Sequence, residues 1–369
     1  MKHYYPLLVL SMLIIFTSGC KKNTDNSSGA QSQKYISGDI WFNAGYNTLC
    51  QTSDNGFAIA ALVGIHRIYV AKTNASFDIL WSKTYGANIY DVGGIIQSGD
   101  GGFVVIANLI DTIWPEKKYV DLIKLNSSGD LLWEKKYQFR YQYKDGFALR
   151  ETPDKGFIIT TAHDDLIELF RINANGDSLW SHKYPGYSST GHDIRVTSDN
   201  GFIAVGEQIV LKTDSLGNML WEYFDQEGVF TNVRILPDGS YIVLGSKFFY
   251  PTDTSGTSRH YMLMKLDASG TKLWEKLYKV GNNESSANLC LTPEGGFIFT
   301  GMTDVAAGND EIVAIKTDGD GNQLSLKIIN EGSYPEAWGL VWQNGSYVYY
   351  GGTTSEGAGY FLRLMRFNM

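Results

Sequence analysis

Arg150, Arg195 and Arg234 stand at one position of a recurring pattern, each six residues ahead of the Gly or Ser within a short signature. A guanidinium carries a rigid fork of N–H donors and a permanent charge. Three of them brought together would clamp a carboxylate or phosphate bidentately. The alternative for each is a local ion pair with a nearby acid, such as Glu151 or Asp193, because buried arginines are usually partnered within the fold. His192, Asp193, Asn232 and Asn288 lie two or three positions nearer the loop-bearing end of the same pattern and would extend a polar site.

Other side chains offer less chemistry. Aromatic residues collect in the irregular segments: Trp114, Tyr141, Tyr143, Tyr184, Tyr187, Phe249, Tyr250, Tyr334 and Trp338. Rings beside polar groups suit a glycan, peptide or protein partner, since they bury area and keep a polar handle. The same rings could instead fasten loops onto the rim. Cys50 and Cys290 share one repeat position but fall in units that are not adjacent, so the geometry of a disulfide is out of reach and two buried free thiols are expected. The six histidines are scattered and suggest no metal site. TDGDGNQ at Asp318 lacks the bidentate Glu of a calcium loop and reads as a tight turn. No phosphate loop or nucleophile elbow occurs, and no cofactor is expected.

Two signatures alternate along the chain and must position these groups. The first is an acid or amide, a turn, an aromatic and an apolar run: DNGFAIA at Asp54, DGGFVVI at Asp100, DKGFIIT at Asp154, DNGFIAV at Asp199, DGSYIVL at Asp238, EGGFIFT at Glu294 and NGSYVYY at Asn344. Turn residues that tolerate positive φ, followed by a β-rich run, describe a hairpin entering a strand. The second is a strand with a cation, a tight turn and then Leu-Trp, as in IKLNSSGDLLW with Lys124 and Trp133 and MKLDASGTKLW with Lys265 and Trp274. AKTNASFDILW, with Lys72 and Trp81, lacks the turn Gly, and Ser325 replaces Trp after Lys316. The tryptophans at 81, 133, 180, 221 and 274 step by 52, 47, 41 and 53 residues. That period, without helical patterning, indicates the blades of a β-propeller, four strands each.

The chain ends share a unit. FLRLMRFNM carries the cation strand with Arg366 and stops, and SGDIWFNAGY with Trp41 supplies the missing outer strand. The expectation is a seven-bladed propeller over residues 35–369, closed by the N-terminal strand pairing in the last blade, which leaves no exposed sheet edge. Tight turns fall on one face, and the long irregular connections, where binding residues usually lie, fall on the other. The arginines then sit on innermost strands, facing a central channel.

The first residues read as an export signal. Lys2 and His3 precede an apolar run from Leu7 to Phe16, too short to span a bilayer, and then Thr17-Ser18-Gly19-Cys20. Small residues before a cysteine resemble the lipobox of bacterial lipoproteins, although Thr17 stands where Leu is usual. The resemblance implies a signal peptide over residues 1–19 and lipid on Cys20; the alternative is an ordinary secretory signal. Residues 20–34 contain no large apolar side chain and read as a flexible tether. The Lys-rich start and Asn/Ser-rich tether resemble Bacteroidota-type lipoproteins. The signatures resemble tryptophan-docked propellers, among them quinoproteins and outer-membrane assembly lipoproteins, over residues 36–369. DNGF with its Thr-Ser lead partly resembles the Asp-box hairpin of sialidases, without that motif's Trp.

A net charge of −8 argues against nucleic acid as a partner. The leading expectation is a monomeric, lipid-anchored binding or scaffolding propeller in the cell envelope, periplasmic or surface-facing, with its loop face toward a glycan, peptide or protein. The alternative is a glycosidase or lyase at the channel mouth. That alternative requires the three arginines to converge on one open spot with an acid and a Tyr opposite.

Overall fold

A computed structural model describes residues 32–36, 47–64, 66–111, 117–138, 146–163, 166–184, 191–250, 258–306, 309–329, 333–343, 346–354 and 360–369. These residues form antiparallel sheets throughout. The first strand is β1 (Ser32–Ile36). The next sheet comprises β2 (Leu49–Gln51), β3 (Phe57–Val63), β4 (Arg67–Thr73) and β5 (Ile79–Tyr85). It is followed by β6 (Ile89–Gln97), β7 (Phe103–Asp111), β8 (Lys117–Leu125) and β9 (Leu131–Gln138), then by β10 (Gly146–Glu151), β11 (Phe157–His163), β12 (Leu166–Ile172) and β13 (Ser178–Tyr184). A longer sheet holds β14 (Gly191–Val196), β15 (Phe202–Thr213), β16 (Met219–Ile235), β17 (Tyr241–Phe249), β18 (Ser258–Leu266) and β19 (Lys272–Tyr278). After it come β20 (Glu284–Leu291), β21 (Phe297–Ala306), β22 (Asn309–Thr317) and β23 (Gln323–Ile329). The last sheet is β24 (Ser333–Gln343), β25 (Ser346–Thr354) and β26 (Tyr360–Phe367), with β1 on its outer edge.

Among the described residues the sheets number six, not the expected seven: five of four strands and one of six. The difference arises where the units signed by Asp199 and Asp238 meet. β15 and β16 run unbroken for 12 and 17 residues, and Glu207 pairs with Val229 beside a bulge, so both units hydrogen-bond into one sheet. As hydrogen-bonded bodies, the propeller therefore has six blades. The ring closes through β2 against β24 and through β1 against β26, with Ser32 opposite Arg366 and Ile36 opposite Leu362. The closing strand is thus Ser32–Ile36, which takes Ser32 to Lys34 out of the expected tether; Trp41 lies outside the described residues.

Both signatures have a structural meaning. Asp54 Oδ1 accepts from Thr52 Oγ1 at 2.5 Å and from the Gly56 N–H at 3.1 Å, which shapes the hairpin. Lys72 of the second signature donates to both Asp54 carboxylate oxygens at 2.9 Å. The same acid–cation link recurs as Lys124–Asp100, Arg171–Asp154, Lys212–Asp199 and Lys265–Asp238. Hydrogen bonds from Thr52 and Lys72 hold the Asp54 carboxyl at about 2.

The aromatics lock neighbouring units together. Trp81 meets Phe103 at 5.7 Å, Trp133 meets Phe157 at 6.5 Å, Trp180 meets Phe202 at 6.0 Å and Trp221 meets Tyr241 at 5.8 Å. Each indole also lies over the next unit's turn. Trp221 donates to the Ala268 carbonyl at 3.1 Å, and Tyr278 donates to the Gly321 carbonyl at 2.6 Å. Gly270, at φ +85°, has no room for a side chain: a Cβ there would lie 2.6 Å from the Trp221 ring. Gly270→Ala combines left-handed backbone strain with overpacking and is expected to lower stability by about 2–4 kcal/mol, measured by denaturant unfolding.

At the closure the device changes. Phe77 replaces the turn Gly, adopts φ 68° and is buried 5.5 Å from Phe57. Arg366 covers its ring at 5.1 Å and donates to the Ala75 carbonyl at 2.8 Å. Where Ser325 stands in place of Trp, Tyr347 is met instead by Trp342 of its own sheet at 4.6 Å.

Candidate functional site: an arginine arc in the central channel

Seven innermost strands surround the axis, because the six-stranded sheet contributes both β14 and the second half of β16. At one level they present the residue opposite the position after the signature aromatic. Cys50 faces Ala58, Ile96 faces Val104, Arg150 faces Ile158, Arg195 faces Ile203, Arg234 faces Ile242, Cys290 faces Ile298 and Val341 faces Val348. The strands are short and extended with side-chain period two, so one register fixes the whole ring. The three arginines are consecutive within it and form an arc.

The arc closes on one carboxylate. Arg150 Nη2 lies 2.7 Å from Asp193 Oδ1, and Arg195 Nη2 and Arg234 Nη1 each lie 3.0 Å from Asp193 Oδ2. Each guanidinium also donates to the carbonyl of its preceding residue: Arg150 to Leu149 at 2.6 Å, Arg195 to Ile194 at 3.2 Å and Arg234 to Val233 at 2.8 Å. Asp193 is fully buried and further accepts from the N–H groups of Ile194 at 2.9 Å and Val233 at 3.2 Å. Local pairing therefore does occur, but through a shared partner. Glu151, the other acid near Arg150, instead accepts from the Gly99 N–H at 2.6 Å.

Three cations on one anion leave a formal surplus of two positive charges. Each arginine retains about a fifth of its side-chain surface, at 19, 19 and 20%. Each also has five N–H donors, most of them outside these contacts. Burial pushes the Arg150 guanidinium down from its usual range; Asp193 opposes this and the neighbouring Arg234 reinforces it. An anion is the species such a surplus favours.

These residues line a cavity of about 260 Å³ together with Asn47, Leu49, Cys50, Gln51, Ile95, Ile96, Asn288, Leu340 and Val341. Every sheet contributes to it. Asn47 also donates to the His192 carbonyl at 3.2 Å, tying the first sheet to the six-stranded one across the ring. Asn288 lines the same cavity as the arginines. His192 and Asn232 do not reach the lining: His192 Nδ1 lies 2.9 Å from the Phe230 carbonyl, and burial pushes that imidazole down. Asn232 is buried, and its amide nitrogen has no hydrogen-bond partner among the described residues.

Cys50 and Cys290 are free and half-buried rather than fully buried. Burial pushes the Cys50 thiol up to about 12 and raises that of Cys290, so both stay protonated at neutral pH. Asn47, Leu49, Gln51 and Ile95 were not singled out by the sequence pattern. They flank the ring position rather than occupy it, and the register of Cys50 and Ile96 against β3 and β7 is the signal that points to them.

Of the aromatic candidates, Trp114, Tyr141, Tyr143 and Tyr187 lie outside the described residues, as does Cys20, the expected lipidation site. Trp338 and Tyr334 fall within β24. Tyr184 is buried and donates to the Gly217 carbonyl at 2.7 Å, an interblade lock. Phe248 stacks on Tyr250 at 6.3 Å, and Arg259 lies 5.1 Å from the Phe248 ring. Asp318 folds the turn expected of TDGDGNQ, accepting from the N–H groups of Asp320 and Asn322 at 3.0 and 2.8 Å. Among the described residues no group of three or more His, Cys, Asp or Glu could hold a metal ion.

Fold and site together define an all-β propeller with a cationic arc in its channel. Comparison with solved structures places the fold in the same class. The chain is similar to the WD40 domain of Pan2 from Neurospora crassa, with a TM-score of 0.57 and 8% identity over 88% of this chain and 91% of that one. A protein of unknown function from Bacteroides caccae aligns over 72% of this chain and 91% of its own, at 12% identity and a TM-score of 0.48. No protein-family model and no curated protein matches the sequence.

Proposed function

We propose that this is a non-enzymatic binding propeller that takes a small anionic ligand in its central channel. It acts as a monomer, is exported and is tethered through lipid on Cys20 to the cell envelope. The observation that carries the reading is the sharing of Asp193 by Arg150, Arg195 and Arg234, which leaves two charges and several donors facing a cavity. The short signal-like run ending at Cys20 supports the anchor.

Binding is favoured over bond cleavage by what the lining contains. A glycosidase works with two carboxyl groups flanking the scissile bond. The described lining holds guanidinium, amide, thiol and aliphatic groups, and its arginines are held by Asp193 rather than opposed by an acid and a Tyr. The channel also favours a small molecule over a glycan chain or protein, since about 260 Å³ falls below the span of drug-sized sites, roughly 300–1,000 Å³. Phe248 and Tyr250 remain available to a macromolecular partner, as a second surface.

Calorimetric titration with inorganic phosphate at low ionic strength tests this. Phosphate is expected to bind, more weakly as salt rises, with affinity at least tenfold lower in Arg195→Gln at an unchanged circular dichroism spectrum. Equal affinity in the variant, or no binding at millimolar phosphate, would refute the channel as an anion site.

A further inference from the structure

The channel is two-sided, and its second side identifies the ligand more closely. Opposite the arginine arc, the ring level carries Cys290, Val341, Cys50 and Ile96. Leu49, Ile95 and Leu340 line the same cavity beside them. A site for a free inorganic anion has no use for an aliphatic wall, whereas an anion with an apolar substituent can place its charge on one arc and its carbon on the other. The charges also count. Asp193 neutralises one guanidinium of three, which leaves a surplus that a doubly charged head matches and a singly charged one only half satisfies. A phosphate monoester carries about −1.5 to −2 near neutral pH and three strong acceptor oxygens.

Resting on the anion-binding reading, we infer that the ligand is a small organic dianion, a phosphate monoester or equivalent, whose short apolar body lies against Ile96 and Val341. Its head accepts from Arg150, Arg195 and Arg234, with Asn288 in the same lining. Leu49 and Leu340 are buried and hold the apolar wall in place. The thiol of Cys50, protonated at neutral pH, belongs to that wall.

The test compares inorganic phosphate, ethyl phosphate, butyl phosphate, butyrate and butanol by calorimetry on the full protein, and repeats the series on Ile96→Thr and Val341→Thr. Both positions face the cavity, and both variants keep a β-branched side chain suited to a strand. Affinity is expected to rise from phosphate to butyl phosphate by roughly fourfold for each methylene buried. Butyrate should bind more weakly than butyl phosphate, and butanol not at all. In the two threonine variants the gain with chain length should shrink, each series being read against that variant's own affinity for inorganic phosphate. Equal affinity for phosphate and butyl phosphate, or a chain-length gain untouched by both substitutions, would overturn the inference and leave the anion site standing. Absence of binding across the phosphate series would remove the anion site itself.

Discussion

Asp193→Ala is expected to destabilise the protein by about 3–5 kcal/mol, the cost of removing one partner from a buried ion pair. The carboxylate is the common acceptor for Arg150, Arg195 and Arg234 and is fully buried, so its loss leaves three cations repelling one another around the axis. Two backbone donors, Ile194 and Val233, lose their acceptor at the same time. Partial rehydration through the channel limits the effect, because each arginine already keeps some exposed surface. Asp193→Asn preserves shape and one acceptor oxygen and should cost less than the alanine variant. Denaturant unfolding with and without phosphate reads both effects. In Asp193→Ala an anion should restore part of the lost stability, by taking the place of the carboxylate among the guanidinium groups. A midpoint unchanged within error would show that Asp193 is not the hub of the arc.

Phe77→Ala should lower stability by about 3–5 kcal/mol, the usual range for a buried phenylalanine. This ring does at the closure what the tryptophans do elsewhere. It fills the space between the first and last sheets, against Phe57, Leu49, Val348 and Leu364, under the Arg366 guanidinium. Its left-handed backbone is a local cost accepted for that packing. Phe77→Gly, which restores the residue of the other turns, should regain about 1 kcal/mol relative to alanine and no more, since the cavity remains. Hydrogen exchange locates the damage. Protection should fall first in the β1–β26 ladder and in β2, with the β10–β13 sheet little changed. Uniform loss of protection across all sheets would mean that the ring is not closed at this seam.

Much of the architecture was readable because the repeat encodes its own contacts. The acid of one signature and the cation of the other prove to be partners, as in Asp54 with Lys72. The Trp of one unit and the Phe of the next prove to touch, as in Trp81 with Phe103. Their recurrence at fixed spacing is the trace of those contacts. The missing Gly at Phe77 was visible as a departure from the repeat, but its place at the seam was not. The number of sheets was not. A signature counts hairpins, whereas a sheet is defined by hydrogen bonds, and nothing in the residues around Glu207 and Val229 announces that their strands join. The closing segment was misplaced for a related reason. Ser32 to Lys34 are polar enough to read as tether, yet the backbone of Ser32–Ile36 completes the ladder with β26, and backbone pairing leaves little mark on composition.

In the channel, the position of the arginines was legible and Asp193 stood among the candidate acids, but its sharing by all three was not legible. Repeat register put Arg150, Arg195 and Arg234 on inner strands, which fixes their level but not where their long side chains turn. Glu151 and Asp193 both stood as candidate acids nearby. Only the curvature of the ring brings all three to Asp193 and sends Glu151 away to Gly99. His192 and Asn232 share strands with the arginines, but their side chains are taken up within the wall.

Anomalous diffraction from crystals grown with selenate tests the account most directly, because it locates an anion rather than inferring one. A peak is expected in the channel cavity, within about 3 Å of N–H donors from at least two of Arg150, Arg195 and Arg234, with Asp193 still beneath them. Selenate bound elsewhere on the protein while the cavity holds only water, or arginines turned to separate carboxylates away from the axis, would contradict it.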